Sequence, residues 1–278
     1  MKTSKTGRTV EVTGPQPESM ARELRTSATF GQLQLSEAVA MHLRERIVSG
    51  QLAKGEFLRI DALANALGVS TTPVREGLLL LQSESSVTFL PRRGFVVNGF
   101  SKDDLHDLFW AQATLAAELA GRATPRMSRS DIARLEAIQS EHQAAYTAND
   151  SLVAARRGHE FHRTINLAAQ APRLALLLGR LTKQLPNRFY ASIDGRLKDA
   201  VEQHPLILDA IRVQDAGAAR ALMFRHVMSA GQQLISMLER LGMWSLSARR
   251  IPTRETAPSR SRESEWPTTK RNSIGSKR

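Results

Sequence analysis

Gly68-Val69-Ser70-Thr71-Thr72-Pro73-Val74-Arg75-Glu76-Gly77-Leu78 reads as the end of one helix, a tight turn and the start of a second helix. Upstream, Ile60, Leu63, Ala64 and Leu67 recur at three- and four-residue spacing, which makes one helical face apolar. Asp61 is expected to cap the start of that helix, its carboxylate accepting from free backbone N–H groups. Gly68 is expected to end it in a left-handed conformation. Ser70 or Thr71 then caps the second helix, Pro73 is tolerated in its first turn, and Val74, Leu78 and Leu81 form its buried stripe. Thr71 and Arg75 stand four apart on another face, beside Thr72 and Glu76. A helix-turn-helix module offers such side chains to the DNA major groove, where an Arg pairs with a guanine edge or a phosphate. An ordinary helical hairpin with a solvated Arg shares this pattern, so the flanks carry the decision.

Before the turn, Leu43 to Ile47 and then Ser49-Gly50-Gln51-Leu52 close an earlier helix, and Lys54-Gly55-Glu56-Phe57-Leu58 begins a short extended piece. After it, Val87-Thr88-Phe89-Leu90 and Gly94-Phe95-Val96-Val97 are β-prone runs around Pro91-Arg92-Arg93. Two strands with basic residues and Gly94 at the tip make a wing, which places Arg92 and Arg93 against phosphates or in the minor groove. Three helices and a basic hairpin in that order predict a winged helix-turn-helix.

Residues from about 101 to 243 read as helix throughout. Ser101-Lys102-Asp103-Asp104 is a capping box, with Asp in the Glu position, ahead of Leu105, Leu108, Phe109, Leu115 and Leu119. Ser128 or Ser130 opens a second helix, and further helices are expected at about 151–169, 171–189, 195–213 and 216–241. Pro125, Pro172 and Pro205, with Asp215 and Gly217, punctuate them. The expected fold is mainly α: an N-terminal winged helix-turn-helix plus a C-terminal all-helical bundle. Its divisions are a disordered tail over 1–30, the winged domain over 31–100, the bundle over 101–243 and a disordered basic tail over 244–278.

The chain has 278 residues and a formal net charge of +12, but the charge is unevenly placed. From Arg249 onward nine Lys/Arg face three Glu, whereas seven basic residues nearly balance six acidic ones between Leu35 and Phe100. Bulk charge therefore does not argue for DNA binding by the winged module; the placement of Arg75, Arg92 and Arg93 does. Cysteine is absent, which removes disulfides, thiol catalysis and thiolate metal sites. No apolar run is long enough to cross a bilayer and no apolar signal-peptide core opens the chain, so a cytoplasmic protein without a membrane partner is expected.

Residues from about Leu35 to Val97 resemble the DNA-binding domain of the GntR superfamily of transcription regulators. Leu52-Ala53-Lys54-Gly55-Glu56 is similar to its turn, with Lys54 where Pro is usual. Leu63-Ala64, Leu67-Gly68-Val69-Ser70 and Thr72-Pro73-Val74-Arg75-Glu76 match its core motif, and Arg92-Arg93-Gly94 its wing. The resemblance implies DNA contact by Thr71, Thr72, Arg75, Arg92, Arg93 and Gly94. Thr71 stands where the family usually has an operator-contacting Arg, a loss of about 1–3 kcal/mol of base discrimination, so the usual operator does not carry over. Gly77 replaces Ala, Leu79-Leu80 replace a polar or basic pair, and Ser85-Ser86 replace Gly-Leu.

Residues 101–243 resemble the effector-binding domain of the FadR-like branch. There an Asp and three His from separate helices hold a divalent metal, which helps bind a small organic acid. The three histidines correspond to His162, His204 and His226, and the implied cofactor is zinc, nickel or manganese. The family's carboxylate position is Gly158; His159, three residues before His162, is its candidate substitute. Asn166 is the candidate effector-binding residue, while Gln112 and Ala116 stand where an Arg and a Glu are frequent. A three-His site completed by water or effector, and a metal-free polar pocket, both fit this pattern.

The resemblance implies a ligand-responsive transcription regulator and not an enzyme: a repressor sensing a small organic acid, binding a double-stranded operator as a homodimer. Two alternatives come from other classes. One is a metal-dependent hydrolase or lyase built on the three His, which lacks HExxH or paired-carboxylate spacing. The other is a helical protein-interaction module.

Overall fold

The computed structural model describes residues 32–185 and 196–244. Apart from Trp244, the tails expected over 1–30 and 244–278 lie outside the described residues. The N-terminal part runs α1 (Gln32–Val48), β1 (Phe57–Leu58), α2 (Ile60–Leu67), α3 (Thr71–Ser83), β2 (Val87–Leu90) and β3 (Gly94–Val97). The strands form an antiparallel sheet in the order β1-β3-β2, with Leu58 opposite Phe95 and Leu90 opposite Gly94. Val39, Leu43, Leu67, Val74, Leu78 and Phe95 belong to one buried cluster, so helices and wing share a core.

Gly68 ends α2 with φ 66° and ψ 32°, the left-handed stop expected of it. Asp61 is not the cap. Arg59 holds the N-cap position in extended backbone without a side-chain cap bond, and its carbonyl accepts from the Leu63 N–H at 3.0 Å. Asp61 falls inside the first turn, where its charge still favours the positive end of the helix dipole. Ser70 holds the N-cap position of α3, but its hydroxyl makes no cap bond; Thr71 is the first helical residue.

Gly77 lets α1 and α3 approach closely. A Cβ there would lie 3.0 Å from the Ser36 carbonyl oxygen and 3.2 Å from the Ala40 nitrogen, both backbone atoms. Near this crossing, the Ser36 hydroxyl donates to the Glu76 carboxylate. Further along, the buried Arg44 guanidinium donates to Glu84 at 2.9 and 2.7 Å, a two-pronged pairing that fixes α3 against α1.

The helical part comprises α4 (Lys102–Ala123), a 3-10 turn (Thr124–Arg126), α5 (Arg129–Thr147), α6 (Ser151–Ala168), α7 (Pro172–Lys183), α8 (Arg196–Arg212) and α9 (Ala216–Arg240). Capping boxes open α4 at Ser101/Asp104 and α5 at Ser128/Asp131. The Ser101 and Ser128 hydrogen bonds hold the Asp104 and Asp131 carboxyls below the usual carboxylate range. α7 stops at Lys183, short of the expected 189, as suits a chain whose Pro186 disfavours helical backbone at Leu185.

Pro205 does not break a helix; it lies inside α8. A proline there cannot donate to the carbonyl four residues back, that of Val201. The Gln139 amide on α5 donates to that same carbonyl at 3.4 Å. A side chain from a neighbouring helix thus supplies the bond the proline omits.

α4 and α9 pack closely, and Gly231 allows it: a Cβ there would lie 2.5 Å from Phe109 Cγ. Val48 from α1 joins Leu105, Leu108, Leu234 and Leu238 in one buried cluster, so the winged part is anchored on the α4–α9 pair. The described residues fall within one compact unit. No described helix is long and apolar enough to cross a membrane.

Candidate DNA-reading face and histidine centre

α3 buries Pro73, Val74, Gly77, Leu78 and Leu81. This leaves Thr71, Thr72 and Arg75 exposed together on its opposite side. Leu79, one turn beyond Arg75, is 50% exposed and extends that face. It is an apolar side chain of the kind that meets a thymine methyl. At the wing tip Arg92 and Arg93 are exposed, and the Arg93 N–H bonds back to the Leu90 carbonyl at 3.0 Å. Arg92 sits at φ 64°, a left-handed conformation that costs a non-glycine residue about 1–2 kcal/mol. Gly94 at φ 94° lets β3 pass close to β1: a Cβ would stand 3.2 Å from the Leu58 carbonyl oxygen.

The second constellation lies in the bundle. His162 comes from α6, His204 from α8 and His226 from α9. His162 Nε2 and His226 Nε2 are 3.1 Å apart, His204 Nε2 and His226 Nε2 3.3 Å. The potential ligand atoms of all three lie within 4.8 Å of one another. Zn–N bonds of about 2.0–2.1 Å imply nitrogen–nitrogen edges of about 3.3–3.4 Å in a tetrahedron and about 2.9 Å in an octahedron. The two separations from His226 fall in that interval, and with all three ligand atoms inside 4.8 Å the set suits one divalent cation after a small closing of the His162–His204 edge.

Neighbours fix these rings. Phe161, fully buried, stacks on His204 with centroids 4.3 Å apart and planes 7° from parallel. Gln203 Oε1 lies 3.0 Å from His226 Nδ1. An amide oxygen only accepts, so the Nδ1 carries the proton and Nε2 presents its lone pair to the cluster. His204 is 1% exposed and His226 7%.

The structure brings His162, His204 and His226 together but does not add His159, which is exposed at the cavity rim and outside the converging group. Three residues of helix leave a rotational offset between His159 and His162, so the two rings do not share one direction. Asn166 is half-buried one turn beyond His162 and does not line the cavity. Gln112 is buried and donates to the Leu181 carbonyl at 3.3 Å, a contact within the fold. Gly158 faces the cluster: a Cβ would lie 3.7 Å from His142 Nε2 and 3.8 Å from His204 Cε1.

Sequence reasoning missed His142 and Gln203. His142 is fully buried on α5 and lines the same cavity, and desolvation lowers its pKa, favouring the neutral ring. Its signal was present, since Leu135, Ile138, Gln139 and His142 continue one helical stripe. Gln203 had none beyond adjacency to His204.

A winged helix-turn-helix with an exposed polar reading face, followed by a helical bundle with a convergent histidine centre, defines a DNA-binding regulator with a sensing domain. Residues 35–97 match the model for bacterial regulatory proteins of the gntR family, and residues 107–229 that for the FCD domain. The chain belongs to the GntR family and carries an FCD domain. It is 28% identical over 179 residues to the gluconate operon transcriptional repressor of Bacillus licheniformis, covering 62% of this chain and 70% of that protein. It is 26% identical over 216 residues to the Exu regulon transcriptional regulator of Escherichia coli K12, covering 69% and 81%. Among solved structures, E. coli McbR/YncC shares the fold with a TM-score of 0.55 at 24% identity, covering 74% of this chain and 98% of that one. The family consists of regulators, not enzymes, and neither the hydrolase nor the interaction-module reading is favoured.

Proposed function

We propose that this regulator represses transcription as a homodimer in the cytoplasm. In this reading residues 31–100 bind an operator half-site and residues 101–243 dimerise and sense a small organic acid. The observation that carries it is the joint exposure of Thr71, Thr72 and Arg75 on the second helix of the turn with Arg92 and Arg93 on the wing. Arg75 reads a base edge, and the wing arginines neutralise phosphates. Two winged modules related by a twofold axis read two half-sites of a near-palindrome.

His162, His204 and His226 hold zinc, nickel or manganese, and the metal supplies a Lewis-acidic position for a carboxylate. Gln203 keeps His226 in the ligating tautomer. Two relatives are named for gluconate, itself a small organic acid, which supports the effector class. Effector and DNA favour different placements of the two winged modules, with a reciprocal coupling of about 1–3 kcal/mol.

The test is fluorescence anisotropy with the operator fragment at several salt concentrations. Arg75→Ala is expected to abolish specific binding. Arg92→Ala and Arg93→Ala are expected to weaken binding to all sequences and flatten its salt dependence. Undiminished specific affinity in Arg75→Ala would remove Arg75 from the reading face.

A further inference from the structure

His142 is a fully buried imidazole whose Nδ1 and Nε2 both have no hydrogen-bond partner among the described residues. Such groups normally find partners, and an orphan is expensive. The ring lines a cavity of about 40 Å³ together with Gly158, His162, His204 and His226. Its centroid is 5.2 Å from that of His204, yet it is outside the group of nitrogens that converge within 4.8 Å. Gly158 leaves the space between them open: only a hydrogen stands where a side chain would approach both His142 and His204.

We infer that His142 is the anion-orienting residue of the centre. It donates a hydrogen bond to a carboxylate oxygen that occupies the metal's remaining position, in the space left by Gly158. The inference rests on the metal reading above. One oxygen between ion and imidazole accounts for His142 standing just beyond the direct ligand set. It also gives the orphaned ring a partner that arrives only with the ligand. The cavity volume suits an ion with one or two oxygen atoms, so the carboxylate end of an acid enters it and the remainder lies outside. A neutral imidazole carries one N–H and suits this role, since it binds an anion without presenting a second charge to the cation.

The experiment uses the full chain, cobalt(II) as the probe metal and acetate as the probe anion, read by the visible d–d absorption of the bound cobalt. In the wild-type chain acetate is expected to change that spectrum saturably. In His142→Leu, cobalt affinity is expected to fall no more than about threefold and acetate affinity at least tenfold. His142→Gln, which restores an N–H donor, recovers part of the acetate response. Without ligand, His142→Leu melts no lower than wild type, because it removes an unpaired buried polar group. Acetate affinity unchanged in His142→Leu overturns the inference. So does a loss of cobalt equal to that in His162→Ala, which would make His142 a direct ligand. Wild-type cobalt uptake without any acetate response overturns it while leaving the metal reading intact. No cobalt uptake by the wild-type chain overturns both.

Discussion

His42, on α1, has its Nδ1 buried without a hydrogen-bond partner among the described residues, and burial with the nearby Arg46 charge lowers its pKa to about 4. An unfolded chain holds the same ring near about 6.5. Between these values the unfolded state binds the proton and the folded state does not, so folding stability falls as pH drops from about 6.5 to about 4. Below that window both states are protonated and this group adds no further loss. His42→Leu is expected to flatten the melting-temperature profile across the window, measured by circular dichroism; an unchanged slope would show that His42 is not the source. Gly158 poses the other residue-scale question. Gly158→Asp would place a carboxylate beside His142 and His204, as its Cβ direction indicates. Metal affinity, measured by isothermal titration with zinc, is expected to rise at least tenfold, because an oxygen ligand is added one turn before His162. The thermal shift on adding zinc should grow in step.

At the scale of elements, α8 is instructive because its proline is tolerated through a neighbour. The Val201 carbonyl, deprived of its helical donor by Pro205, is served by Gln139 of α5. Removing that amide leaves a buried acceptor unpaired, at about 1–3 kcal/mol. Gln139→Leu is therefore expected to lower stability by that order. In a Pro205→Ala background the backbone N–H gained at that position can serve Val201 itself, and the Gln139→Leu penalty should shrink to within about 0.5 kcal/mol. Equal penalties in both backgrounds, from chemical denaturation, would dissociate Gln139 from the proline. Gly77 shows the converse case, in which one missing side chain sets how closely two helices meet. In the sequence Gly77 showed only as a departure from the usual Ala; the α1 backbone 3.0 Å from the notional Cβ explains why an alanine would crowd it.

Across the whole molecule, α9 spans from the histidine centre to the winged part. It carries His226 in its middle, and toward its end Leu234 and Leu238 pack in the cluster that contains Val48 of α1. Just past the helix, the Trp244 indole N–H donates to the Phe100 carbonyl at 2.8 Å, in the segment joining β3 to α4. Lys102 pairs with Glu239 and lies over the Trp244 ring, 5.6 Å from its centroid. A helix held at its middle by the histidine centre and at its C-terminal end by this packing is a physical route for coupling metal or effector binding to the wing. Trp244→Phe keeps an aromatic ring and removes the donor. It is expected to leave zinc affinity and operator affinity each within about threefold while reducing the effect of zinc on operator affinity. Titrating operator with and without zinc measures this; full retention of the zinc effect would place the coupling elsewhere.

The amino-acid sequence by itself determined the helix-turn-helix, the wing and the helical bundle. Those depend on local signals: the three- and four-residue apolar spacing of α2 and α3, the left-handed stop at Gly68, the Ser101–Asp104 box, and the β-prone runs flanking Pro91-Arg92-Arg93. It also brought out the three histidines, through a family pattern. Tertiary structure alone decided what depends on distance between elements. It added His142 from a different helix, set Gln203 behind His226 and rescued Pro205 through Gln139. Helical periodicity states which face a residue occupies, but not which of several neighbouring helices that face meets, nor at what separation. A coordination site or a borrowed hydrogen bond is a matter of tenths of an ångström between chain segments far apart in sequence, and only the packing of α5, α6, α8 and α9 fixes those distances.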